Sequence, residues 1–186
     1  MVLLPAEPQP HRKIVGLSLL DRLATALATG LHLSYIPVKL VGALTRKAPR
    51  KWLGCGFVGT VEGLLLVRFL PEGPFALAAF LVVSTALACW LCGRAEKTLG
   101  SHDDPRIVLD EVVGYWTAVA FLPRTVHMLL AGFVLFRVLD VVKLPPYRWL
   151  ERLPGGLGVV GDDVGAGIVV NLLLRALSLC WPWLNL

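Results

Sequence analysis

With 56% of its 186 residues hydrophobic and only 17% charged, the chain is unlike a water-soluble domain, in which about a quarter of the residues carry charge. Its mean hydropathy of +0.70 suits a polytopic membrane protein, and at roughly 20 residues per crossing the length holds about five membrane helices with short loops and no second, soluble domain. The net charge of +5 comes without a basic stretch interleaved with aromatics, so no nucleic acid is expected as a partner, and the Lys and Arg residues read as flanks of membrane spans.

In chain order, the first sixteen residues lack the apolar run and cleavage site of a signal peptide and are expected to form a cytoplasmic tail. Leu17 to Leu44 is apolar but broken by Asp21, Arg22, His32, Pro37 and Lys39, which predicts a helical segment lying along the interface. Arg46, Lys47, Arg50 and Lys51 close this N-terminal unit, residues 1–51, and the membrane-embedded domain is expected over 52–186. Trp52 to Leu70 is a possible span interrupted by Glu62 and Arg68, ending in the turn Pro71 to Pro74. Phe75 to Cys92 is uncharged and long enough to cross, and a polar loop is expected from Gly93 to Arg106. Two further spans, Ile107 to Leu122 and Val126 to Val142, flank a turn at Pro123 to Thr125, and a Pro- and Gly-rich loop, Lys143 to Gly161, leads to a last span, Val164 to Cys180. The predicted fold is therefore all-α, a polytopic integral membrane helical bundle of about five helices with an interfacial N-terminal segment. Cys55, Cys89, Cys92 and Cys180 all lie in apolar surroundings, and the C-x-x-C pair has neither a second ligand pair nor a βαβ context, so packing thiols are expected.

Positive charge orders these pieces. The loops 45–51, 93–106 and 143–161 carry the Lys and Arg residues and are expected on the cytoplasmic side. Asp110 and Glu111 then begin one helix, Asp140 and Lys143 end the next, and Asp162 and Asp163 precede the last, so three acidic motifs fall at one membrane face.

Carboxylates are costly in a membrane, and five near one another also repel. A hard divalent cation such as Mg2+ resolves both problems, because it prefers oxygen ligands and binds one or two carboxylates together with substrate phosphate. Arg137, Asp140 and Lys143, at i, i+3 and i+6, share one helix stripe. They form either an internal salt bridge or a pair of phosphate-holding cations beside a metal-facing aspartate. Asp162 and Asp163 follow a glycine run and are expected to open a helix; capping accounts for one of them, and a metal role is expected for at least one. His102, beside Asp103 and Asp104, is either a solvated loop residue or a phosphate contact. No G-x-S-x-G elbow, H-E-x-x-H helix or P-loop is present.

Three stretches, DDPRIVLDEVVGYW from Asp103, FRVLDVVKLPPYRW from Phe136 and GGLGVVGDDVGAG from Gly155, resemble in order and spacing the signature blocks of the phosphatidylglycerophosphatase A family. The resemblance covers roughly Trp52 to Leu177. An early P-G-T-x-G-S-like block is represented only by VGTVEG, Val58 to Gly63, without the proline and with Glu62 in place of a glycine. The resemblance implies a bacterial, magnesium-dependent phosphatase of the inner membrane that converts phosphatidylglycerophosphate to phosphatidylglycerol and phosphate. It also implies that Asp110, Glu111, Asp140, Asp162 and Asp163 form the catalytic and metal-binding set, with Arg137 and Lys143 toward the phosphate and Asp104 a further metal ligand; His102 as a phosphate contact rests on its place in the loop alone. Two rivals stand beside it: a cation- or proton-coupled transporter using the intramembrane acids, and a non-catalytic membrane partner whose charges pair among themselves.

Overall fold

A computed structural model describes residues 17–44, 54–102, 104–142, 145 and 147–181. The basic cluster Arg46 to Lys51, Asp103, Lys143 and the first sixteen residues lie outside the described residues, and so does the expected tail. Among the described residues every regular element is helical: α1 (Leu19–Ala28), α2 (Tyr35–Leu44), α3 (Cys55–Leu66), α4 (Pro74–Leu99), α5 (Leu109–Ala118), α6 (Val126–Val142) and α7 (Gly156–Cys180), with short 3-10 turns at Val67–Phe69 and Tyr147–Arg152. The all-α class holds. The expectation of about five crossing helices is met only in part, since among the described residues two helices, α4 and α7, are long and apolar enough to cross a membrane.

Several boundaries differ from expectation: the segment Leu17 to Leu44 is two short helices, α3 and α5 are shorter than the spans expected over Trp52 to Leu70 and Ile107 to Leu122, and two further differences have clear physical reasons. α4 does not stop at Cys92 but runs on to Leu99, because Arg94, Glu96 and Lys97 are good helix formers; it ends where Gly100 takes a left-handed φ of 78° and its N–H bonds the Glu96 carbonyl at 2.8 Å. α7 begins at Gly156, eight residues before the expected Val164, so Asp162 and Asp163 lie inside the helix and cap nothing. The glycines there serve close packing: a Cβ on Gly156 would fall onto the carbonyl oxygen of Cys89 in α4, and one on Gly93 would stand 3.0 Å from the Gly156 nitrogen. No larger residue allows the two helix ends to meet so closely.

α5 packs between α3, α4 and α7, with Val112, Val113, Gly114, Tyr115 and Ala118 buried. One apolar cluster gathers around Tyr115, Met128, Phe136, Val170 and Leu174, and a second around Ala88, Cys92, Val113, Val159 and Val160. Asp163 falls in sequence between the residues that α7 gives to each. Asn171 of α7 donates its side-chain amide to the carbonyls of Thr117, Ala118 and Ala120, at 3.4, 3.0 and 2.8 Å, and so satisfies the C-terminal end of α5.

The outer surface is greasy. Only 22% of the apolar window of α4 is buried, and Phe75, Val82, Val83 and Leu87 face outward. α1 likewise turns Leu19, Leu20, Leu23 and Leu27 outward while Ala24, Thr25 and Ala28 face the bundle. Exposed apolar surface on this scale marks a membrane or partner-facing molecule.

Candidate metal and phosphate site

Each acid in the first turn of α5 is aimed by the helix. Asp110 and Glu111 are adjacent in sequence and about 100° apart around the axis, yet both turn into the bundle because α7 and α3 flank that end of α5. Across from them Asp163 projects from α7. One oxygen from each of Asp110, Glu111 and Asp163 lies within 4.8 Å of the other two. Asp110 Oδ1 and Glu111 Oε2 are buried without a hydrogen-bond partner, a condition that native proteins rarely leave uncompensated.

Cations and small residues complete the surroundings. Arg137 on α6 pairs with Asp140 one turn later at 2.9 Å and donates from the same terminal nitrogen to Thr60 Oγ1 at 3.3 Å. Asp140 in turn reaches the Asp163 carboxyl. Gly56 leaves open the space that Glu111 and Arg137 share: a Cβ there would overlap Glu111 Oε1 and lie 2.9 and 3.0 Å from the two terminal nitrogens of Arg137. Of the two open readings for Asp140, the salt bridge to Arg137 is formed, and it is formed at the edge of the acid cluster rather than apart from it.

The other expected residues are distributed as follows. Asp162 is buried on α7 beside Asp163 but outside the three-acid group. Asp104 is buried elsewhere, with both oxygens engaged: Arg106 Nε and terminal nitrogen at 2.7 Å each, the Arg106 backbone N–H at 3.1 Å, and Ser101 Oγ at 2.6 Å. Burial alone would raise its carboxyl, but the hydrogen bonds from Arg106 and Ser101, with the Arg106 charge, hold it below the usual carboxylate range. His102 Nδ1 lies 2.6 Å from Glu96 Oε1, likewise outside the group. Lys143 lies outside the described residues. Sequence reasoning missed Gly56, which carries no signal beyond being a glycine in an apolar run, and it gave Thr60 no part in holding Arg137.

The donor set is all carboxylate, its separations suit one small ion, and two oxygens are uncommitted, so the residues present fit a hard divalent cation. Known proteins bear on the family of the chain rather than on the ion. The family model described as Phosphatidylglycerophosphatase A matches residues 23–178. A protein named phosphatidylglycerophosphatase A from Escherichia coli is 34% identical over 129 residues, covering 68% of this chain and 74% of its own. Its namesake from Haemophilus influenzae is 31% identical over 174 residues, covering 92% and 96%. No solved structure matches the chain significantly. Matched along most of its length, the chain belongs to the phosphatidylglycerophosphatase A family.

Proposed function

We propose that the protein is a Mg2+-dependent lipid phosphatase that hydrolyses phosphatidylglycerophosphate to phosphatidylglycerol and inorganic phosphate. The observation that carries this reading is the buried group Asp110, Glu111 and Asp163, with two oxygens left without partners. The names of the two relatives supply the substrate.

In this reading Asp110, Glu111 and Asp163 would hold the cation, and Asp140 and Asp162 would stand beside that group. When bound, the cation would neutralise charge on the phosphoryl oxygens. Arg137, fixed between Asp140 and Thr60, offers its remaining donors to the phosphate, and Lys143, three residues after Asp140 in the sequence, would add a second positive charge. The reaction consumes one water: its oxygen joins phosphorus, the bond from phosphorus to the glycerol oxygen breaks, and a proton ends on that released oxygen. Asp110 Oδ1 and Glu111 Oε2 are the uncommitted bases within the group.

The same reading makes the chain a multi-pass protein of the bacterial inner membrane with its site at the cytoplasmic face. Its support is the meeting of the polar end of α4 with the start of α7 at Gly93 and Gly156, beside segments rich in Lys and Arg. A transporter is not favoured, since the family is one of phosphatases and an arginine stands at the edge of the acids. Phosphate release from phosphatidylglycerophosphate by the purified protein, present with magnesium and absent with chelator, is the expected result. No release under either condition would overturn the reading.

A further inference from the structure

A cavity of about 470 Å³ lies beside the polar end of α4, lined by Asp21, Trp90, Arg94, Lys97 and the backbone of Gly155 and Gly156. None of the three clustered acids borders it. Gly156 precedes Asp163 by seven residues, about 10 Å along a helix.

Its position and its charge suggest a ligand. α4 is uncharged from Phe75 to Cys92 and then turns polar, so Trp90, Arg94 and Lys97 stand where an apolar helix leaves hydrocarbon. That is the depth of phospholipid phosphates, and indole and basic side chains gather there. Arg94 is held on two sides: its Nε bonds Asp21 at 3.1 Å, and its guanidinium carbon lies 5.3 Å from the centre of the Trp90 ring. The bond to Asp21 leaves its two terminal amino groups for another acceptor. With Arg94 and Lys97 positive and Asp21 negative, the lining carries one net positive charge. That balances the single charge of a phosphodiester better than the double charge of a phosphate monoester.

We propose that this cavity binds the phosphodiester of an anionic phospholipid, as a lipid site separate from the acid cluster. The inference rests on the membrane reading of α4 but not on hydrolysis. A lipid held here would anchor the α4–α7 junction to the headgroup layer, next to the helix that carries Asp163.

The test uses the full chain in detergent with chelator, titrated with short-chain phosphatidylglycerol, short-chain phosphatidylcholine and inorganic phosphate, with binding followed calorimetrically. Phosphatidylglycerol should bind more tightly than either other probe. Lys97→Gln should weaken it about fivefold, the worth of one basic residue at a lipid surface. Asp21→Asn should strengthen it, because Arg94 loses its competing carboxylate; a gain of binding cannot come from misfolding. Asp110→Asn should bind the lipid as the native protein does, while in a separate assay with magnesium its phosphate release from phosphatidylglycerophosphate drops at least about a hundredfold, so the two sites fail separately. Equal affinity for phosphatidylcholine, displacement of the lipid by inorganic phosphate at equal concentration, or native affinity in both Lys97→Gln and Asp21→Asn would overturn the proposal.

Discussion

Gly114 on α5 and Asp163 on α7 meet with no room between them: a Cβ on Gly114 would lie 2.9 Å from the Asp163 Cβ and 2.7 Å from Phe136 Cζ. The separation of the acids is thus set by backbone contact, and Gly167 repeats it one turn later, where a Cβ would overlap the Gly114 carbonyl oxygen.

Adding that single methyl, Gly114→Ala, should push α5 from α7 and cost about 1–3 kcal/mol of stability. Because a shift of about 1 Å at a reacting centre can cost roughly a hundredfold in rate, kcat should fall further than the loss of folded protein explains. Steady-state kinetics beside a thermal melt would check this; native kcat in a folded Gly114→Ala protein would show that the contact does not set the site.

Neutralising one acid should affect activity and stability in opposite directions. Asp110→Asn removes repulsion from a group of three carboxylates within 4.8 Å, so in chelator its thermal midpoint should equal or exceed the native one. Magnesium should raise the midpoint of the native protein and leave that of the variant nearly unmoved. Phosphate release by the variant should drop by at least about a hundredfold, within the range for loss of one charge-stabilising group. A variant that magnesium stabilises as strongly as it does the native chain would remove Asp110 from the metal site.

Arg137 bonds Asp140 and Thr60 through one terminal nitrogen, which leaves the rest of its planar donor fork for another acceptor, whereas a lysine ammonium has a single nitrogen for all of them. Arg137→Lys should therefore retain only about a tenth of the activity or less, a loss of at least roughly 1.4 kcal/mol of transition-state stabilisation. Thr60→Val should show a smaller loss that Thr60→Ser restores. Full activity in Arg137→Lys would mean that charge alone is needed there.

Asp104 gives the fold a dependence on pH. Its folded carboxyl titrates below the ordinary range, held down against burial by Arg106 and Ser101, so the unfolded chain binds more protons in the window between the two values. The stabilisation is complete above the unfolded value of about 3.9 and is lost as pH falls through the lower folded one. Asp104→Asn should remove this part of the acid limb and, by leaving Arg106 unpaired, lower stability at neutral pH by about 1–3 kcal/mol. Melting curves from pH 3 to 7 would reveal it; an unchanged acid limb would contradict the pairing.

Legibility in the sequence followed the kind of force involved. α6 was readable to the residue, Val126–Val142, because a proline turn and an apolar run mark both its length and its start. α7 was misjudged by eight residues: glycine propensity argues for a loop over Gly155 to Gly161, whereas tertiary contact with Cys89 and Gly93 makes glycine the residue that the helix requires. The acidic motifs were visible as residue types, but adjacency in sequence cannot tell Asp162 from Asp163, and only the rotation of α7 sets the latter toward Asp110 and Glu111. Asp104 stands in the same signature block as Asp110 and His102 just before it, yet the local pull of Arg106, Ser101 and Glu96 holds them elsewhere.

The amide of Asn171 has a consequence for topology. A helix of ten residues extends about 15 Å, half of a bilayer interior roughly 30 Å thick, and its last carbonyls would ordinarily demand water. By supplying those hydrogen bonds from a neighbouring helix, Asn171 lets α5 end among buried residues after only ten. The chain can thus reverse and run back along α5 as α6, with Gly132 against Val119 and Phe136 against Gly114, so that Arg137 arrives beside the two acids of the first α5 turn.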